Sequence, residues 1–227
     1  MLPIHHHRQS APDATLFIAS GCSHCPAVMG DLCRLLKEDR IARLDMINLP
    51  LHPKVGEAAG VRSVPWMRIG PFELLGAHSY RELAQWAERA AAGEGWSEYY
   101  GHLLESRRLP QVVAQIRERP DSVGGLLSLL RTLETPIAVR IGAGAALEEL
   151  AEQGLPAAAV AQLIDMTESK EPQIRADACH YLSLADGPAA LTAVRRMLQD
   201  PDPQVREIAT DSMHTMCGET ISGEQTP

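Results

Sequence analysis

A nine-residue pattern recurs three times in the second half of the chain and restricts what that half can fold into. Val/Ile-Arg-x-x-Ala-x-x-x-Leu/Met runs from Val139 to Leu147, from Ile174 to Leu182 and from Val205 to Met213. Its arginines, Arg140, Arg175 and Arg206, are 35 and 31 residues apart, and the Ala at +3 and Leu or Met at +7 fall on one helical face. A proline turn precedes each copy, at Pro136, Pro172 and Pro203. Before each turn lies a further apolar helical stretch: LLSLLRTL from Leu126, AAVAQLIDM from Ala158 and AALTAVRRML from Ala189. The unit is therefore helix, proline turn, helix. One such pair cannot bury its apolar face alone, so copies at a fixed period predict a stack in which each pair covers the next.

This unit resembles the HEAT repeat family, whose turn reads like DPDPQVRE at Asp200 to Glu207. The first copy departs by one residue, with Pro136 four rather than three positions before its arginine. The resemblance implies an all-α solenoid over residues 96–218 that presents a surface of helices to a protein partner not identified by the sequence. It also implies that each repeated arginine pairs with an acidic turn residue of a neighbouring repeat rather than reading a ligand. Residues 97–119, with Trp96, Tyr99 and Tyr100 at helical spacing, read as the N-terminal cap, and 219–227 as a flexible tail.

Charge marks the boundary between the two halves. Of 21 Lys and Arg, ten lie in residues 1–95 beside ten of the 29 Asp and Glu, which leaves eleven against nineteen in 96–227. The shift falls beside AAAGEG, Ala90 to Gly95, a plausible domain boundary. An acidic half argues against a nucleic-acid surface, which needs clustered cations. No window has the roughly 18 uncharged apolar residues of a membrane span, and the first residues show no signal-peptide core, so a cytoplasmic protein is expected. In that reducing compartment five cysteines do not make a disulfide framework. Residues 1–13, including His5 to His7, read as a flexible tail with no role.

The first half centres on Cys22-Ser23-His24-Cys25. Two cysteines at this spacing serve disulfide exchange, half of a zinc site, or packing, so the neighbours decide. Residues 15–19, TLFIA, read as a buried strand ending at Ser20-Gly21, where the chain must turn. From Ser23 to Lys37, Val28, Met29, Leu32, Leu35 and Leu36 recur at helical steps, giving an amphipathic helix whose first turn carries Cys22, Cys25 and Pro26. A second strand follows at Ala42 to Asn48, then a short helix from Pro53 to Ala59 closed by Gly60. VRSVPWMRIG from Val61 and FELLGA from Phe72 read as strands joined through Gly70 and Pro71, and Ser79 caps a helix from Tyr80 to Ala92. The order β-α-β-α-β-β-α makes a small mixed sheet with helices on both faces. No second CxxC or CxxH follows to complete a zinc site, so no metal is expected. Cys33, on the stripe of Met29 and Leu36, and Cys179 and Cys217, in helical patterns, read as packed and inert.

Over residues 14–92 this arrangement resembles the thioredoxin-like superfamily, in the shorter glutaredoxin-like form that begins with the strand before the CxxC; the whole domain spans 14–93. CxxCP followed by Val61-x-Ser63-Val64-Pro65 is especially similar to small archaeal redoxins and to the units of two-domain protein disulfide oxidoreductases. The resemblance implies a thiol-disulfide oxidoreductase without cofactor. Cys22 would be the nucleophile, its pKa lowered from about 8.5 by a helix N-terminus, with His24 as a second stabiliser of the thiolate. Such stabilisation raises the potential above that of thioredoxin itself. Cys25 would resolve the mixed disulfide. Pro65, in the family's cis-proline position, would hold the Val64 backbone open for substrate, with Trp66 beside the groove. A glutathione site would need a basic residue before the CxxC and a Gly-Gly-Asp-like turn, where Ala19-Ser20-Gly21 and Gly76-Ala77-His78 stand instead. The expected protein is a cytoplasmic oxidoreductase for a protein disulfide or dithiol held near Cys22 by the solenoid. Its rivals are an adaptor or assembly chaperone, whose first domain is a binding module, and a glutathione-linked glutaredoxin.

Overall fold

The computed structural model describes residues 11–218, so His5 to His7 and 219–227 lie outside the described residues. The chain divides into two compact units between Gly95 and Trp96.

The first unit runs β1 (Asp13–Ile18), α1 (Cys25–Lys37), β2 (Arg43–Asn48), a 3-10 turn (Leu49–Leu51), α2 (Pro53–Ala58), β3 (Trp66–Ile69), β4 (Phe72–Leu75) and α3 (Tyr80–Ala92). The sheet order is β2-β1-β3-β4, with β1 parallel to β2 and β3 antiparallel to both β1 and β4. Alternation along β1 sorts its side chains to two cores. Ala14 and Leu16 join Val28, Leu32 and Leu35 of α1, Met67 and Ile69 of β3, and Leu83, Ala84 and Ala87 of α3. Phe17 faces the other way, with Val61, Trp66 and the partly buried Ile47 and Leu49. α1 and α3 thus cover one face and the α2 side the other. The start of α3 is fixed by a capping box: Ser79 Oγ accepts from Glu82 N–H, and the Glu82 carboxylate accepts from Ser79 N–H at 2.8 Å.

Four local expectations are corrected. The strand expected from Val61 begins only at Trp66, because its partner β1 ends opposite, with Phe17 paired to Trp66, and Pro65 has no N–H to add to the ladder. Cys22 precedes α1 instead of sitting in its first turn; its N–H closes a turn onto Ala19 C=O at 3.1 Å. Cys33 is exposed, because the buried stripe of α1 is Cys25, Val28, Leu32 and Leu35, and Cys33 lies past its edge with the exposed Leu36. Cys217, at the last turn of its helix, is exposed as well, whereas Cys179 is fully buried.

The second unit is a run of helices: α4 (Trp96–Glu105), α5 (Leu109–Glu118), α6 (Val123–Leu130), α7 (Ile137–Ala151), α8 (Ala157–Met166), α9 (Pro172–Leu182), α10 (Pro188–Met197) and α11 (Pro203–Cys217). They stack as pairs in two rows. α4 packs on α6, α6 on α8 and α8 on α10; α5 packs on α7, α7 on α9 and α9 on α11. Glycine sets the closest approach, since a Cβ at Gly125 of α6 would collide with the backbone of Trp96 and Ser97 in α4. The segment expected as a cap, 97–119, forms the pair α4 and α5 within the same two rows. Pro110-Gln111-Val112-Val113 of α5 aligns with Pro172-Gln173-Ile174-Arg175, so the buried Val113 stands where the later helices carry arginine. Among the described residues, no helix is long and apolar enough to cross a membrane.

Candidate functional site

Cys22 and Cys25 are joined in a disulfide, with Cα atoms 5.4 Å apart. β1 and the turn after it deliver Cys22; α1 begins at Cys25 with Pro26 in its first turn, where a missing N–H costs nothing. The Cys25 N–H donates to Cys22 Sγ at 3.0 Å. A main-chain donor at a helix start, with no acidic side chain in that first turn, is the local field that favours a thiolate at Cys22 when the pair is reduced. The two sulfurs differ in access: Cys22 is half-buried, while Cys25 is 3% exposed and belongs to the buried stripe of α1. An incoming group therefore reaches Cys22 first. His24 occupies the N-cap position with helical backbone angles and an exposed ring, and makes no capping hydrogen bond.

The Val64-Pro65 bond is cis. The antiparallel register that pairs Trp66 with Phe17 sets the start of β3 beside the end of β1, so Val64 and Pro65 stand at the sheet end from which the chain leaves for Cys22. Gly76 N–H donates to Pro65 C=O at 2.9 Å, tying the exit of β4 to the same end. Val64 lies outside the ladder, and its N–H and C=O enter none of the backbone hydrogen bonds among the described residues. Trp66 is 4% exposed and packs edge to face on Phe17 with ring centroids 5.4 Å apart, so its side chain belongs to the core on the α2 side of the sheet.

In the second unit the repeated arginines do one structural job. Each sends Nη1 to carbonyls at or past the end of the preceding helix, in the turn that leads into its own: Arg140 to Leu130 and Thr132, Arg175 to Ser169 and Lys170, Arg206 to Asp200 and Pro201. A guanidinium there pairs turn carbonyls that take none of the backbone hydrogen bonds among the described residues. Two of the three also reach the next repeat. Arg140 pairs with Asp177, and Arg175 grips Asp200 with two bonds of 2.8 Å. The Arg175 hydrogen bonds hold the Asp200 carboxyl below the usual carboxylate range, whereas burial pushes Asp177 up against the pull of Arg140. The Arg206 side chain is exposed, and among the described residues its guanidinium bonds within its own turn.

The repeat geometry has a counterpart among known proteins. Residues 123–214 match the HEAT repeat family. HEAT repeats generally mediate protein–protein interaction. The match spans α6 to α11, and α4 and α5 lie outside it. No curated protein matches the chain.

Sequence reasoning missed other residues that stand at the disulfide end of the sheet: Asn48, Leu51, His52, Leu75 and His78. The strand directions put the ends of β1, β2 and β4 and the start of β3 together there. The available signal was a common distance from the end of each strand, which is readable only once the register is known.

Proposed function

We propose that the first unit is a thioredoxin-like thiol-disulfide oxidoreductase and that the HEAT repeats hold its protein substrate or a partner complex. The observation that carries this reading is the hydrogen bond from Cys25 N–H to Cys22 Sγ at the start of α1, with the outer sulfur accessible and the inner one buried. The cis Val64-Pro65 bond at the same end of the sheet agrees with the position that the resemblance assigns to substrate.

In the reducing direction the Cys22 thiolate attacks one sulfur of a substrate disulfide. The Cys22–substrate S–S bond forms, the substrate S–S bond breaks, and the departing thiolate takes a proton from water. Deprotonated Cys25 then attacks Cys22 Sγ, which releases the second substrate thiolate and forms the Cys22–Cys25 bond. Two electrons pass from the dithiol to the substrate disulfide, and oxidation of a substrate dithiol is the same sequence reversed. In this reading the cytoplasm is the setting, since its thiol pool can recycle the pair, and His24 adds positive charge at the thiolate when protonated.

The experiment uses the full chain with a protein disulfide. Cys25→Ser accumulates a mixed disulfide through Cys22, and Cys22→Ser forms none. If both variants reduce the substrate at the wild-type rate, the proposal is wrong. The HEAT match favours protein interaction and supports a second reading, an adaptor whose first unit only binds. That reading gains if Cys22→Ser keeps full biological activity.

A further inference from the structure

The loops at the disulfide end carry an uneven charge. Residues 19–24, 49–54, 60–65 and 76–79, which leave or enter the sheet there, contain no Asp or Glu. They contain Lys54 and Arg62, both exposed and in no ion pair among the described residues, and the imidazoles of His24, His52 and His78. The nearest carboxylates in sequence stand outside the loops. Glu57 is on α2, three residues after Lys54 of the same helix, and Glu82 on α3 is engaged by Ser79 and faces His78 at 4.0 Å. Among the described residues no three His, Cys, Asp or Glu side chains are placed to share a metal ion, so the cluster does not read as a metal centre.

Exposed apolar surface accompanies the charge at this end. Leu51 is 72% exposed and Leu75 is 47% exposed. Asn48 Oδ1 and His78 Nε2 are buried without a hydrogen-bond partner among the described residues, although buried polar atoms are generally paired. The register that sets Asn48 opposite Ile18 brings it to the end of β1 that leads into Cys22.

We propose that this end recognises a cysteine-bearing segment of a protein whose cysteine is flanked by acidic side chains and an apolar one. The inference rests on the oxidoreductase reading and adds its substrate class. Lys54 and Arg62 attract the carboxylates, Leu75, paired with Trp66 beside Pro65, takes the apolar side chain, and Val64 offers its free N–H and C=O to the extended backbone. An acidic segment meets no carboxylate in these segments, whereas a basic one meets Arg62 and Lys54, the latter with Glu57 one turn on along α2.

Two synthetic peptides of equal length test it, each with one central cysteine beside a leucine, held as a 2-thiopyridyl mixed disulfide. One carries glutamates around the cysteine and the other lysines. Cys22 of the reduced full chain attacks the peptide sulfur and expels 2-thiopyridone. Cys25 then attacks Cys22, and the peptide leaves as a thiol while the dithiol gives up two electrons to the probe. At low ionic strength kcat/KM should favour the glutamate peptide about tenfold, and this preference should shrink as salt rises. The double variant Lys54→Glu with Arg62→Glu should invert the order. If neutral 2-hydroxyethyl disulfide turns over while the two peptides are indistinguishable or the lysine peptide is preferred, the substrate class is overturned and the oxidoreductase reading stands. Reduction of none of the three probes overturns both.

Discussion

Replacing Arg175 by Met should destabilise the helical unit far more than replacing Arg206 by Met. Arg175 makes two bonds of 2.8 Å to Asp200 and two more to the carbonyls of Ser169 and Lys170. The Asp200 side chain is 4% exposed, so among the described residues its carboxylate would be left buried with the Asp202 N–H as its hydrogen-bond partner and Arg206 as a more distant charge. Breaking a buried pair on one side costs about 3–5 kcal/mol. Arg206 is exposed and gives up two bonds to carbonyls, which amounts to about 1 kcal/mol. At about 4 °C per kcal/mol for a unit of this size, the expected falls in Tm are about 12–20 °C and about 4 °C. Calorimetry of the full chain at neutral pH reads both. Adding Asp200→Leu to Arg175→Met should recover part of the loss, because no charge then stays buried alone. Equal, small shifts for both single variants, or a double variant as unstable as the sum of its parts, would refute the argument that the inter-repeat ion pair matters more than the local cap.

Other outcomes follow from the same contacts. Asp200 is held below its ordinary pKa by Arg175, so its stabilisation is complete above the unfolded value of about 4 and is lost as pH falls through the lower folded value. Asp200→Asn should therefore flatten the acid limb of a stability-against-pH curve and leave its shape near neutrality unchanged. Burial pushes the Cys179 thiol up to about 11, so brief alkylation of the native chain should label the exposed Cys33 and Cys217 and spare Cys179 until the chain unfolds. Ser79→Ala removes the acceptor of the α3 cap and should cost about 1 kcal/mol in denaturant titration, with α3 remaining helical.

The features legible in the sequence were those set by local chemistry. Ser79 and Glu82 announce the start of α3, and the spacing of Arg140, Arg175 and Arg206 announces the paired helices that the family match then covers. The acid partner of Arg175 was legible too, because Asp200 lies in the turn of the next repeat. Asp177 was not, since it sits on a helix and is chosen by how α7 lies against α9. The burial of Cys33 was misjudged because Met29 and Leu36 look like core until the sheet shows which side of α1 it covers. The α4 and α5 pair stands at the end of the stack outside the family match, as expected of a cap, and Val113 takes the place where the later helices carry arginine. The charge-biased loops at the disulfide end are scattered along the chain and meet only through strand register, which no local pattern encodes.

The most direct test of the proposed chemistry is a redox titration of the full chain in dithiol and disulfide buffers, with alkylation and mass spectrometry following each cysteine. The account predicts a reversible two-electron couple confined to Cys22 and Cys25, with Cys33, Cys179 and Cys217 remaining thiols throughout, and a midpoint above the roughly −270 mV of thioredoxin. A pair that does not oxidise and reduce reversibly, or one that exchanges equally with the other cysteines, would contradict it.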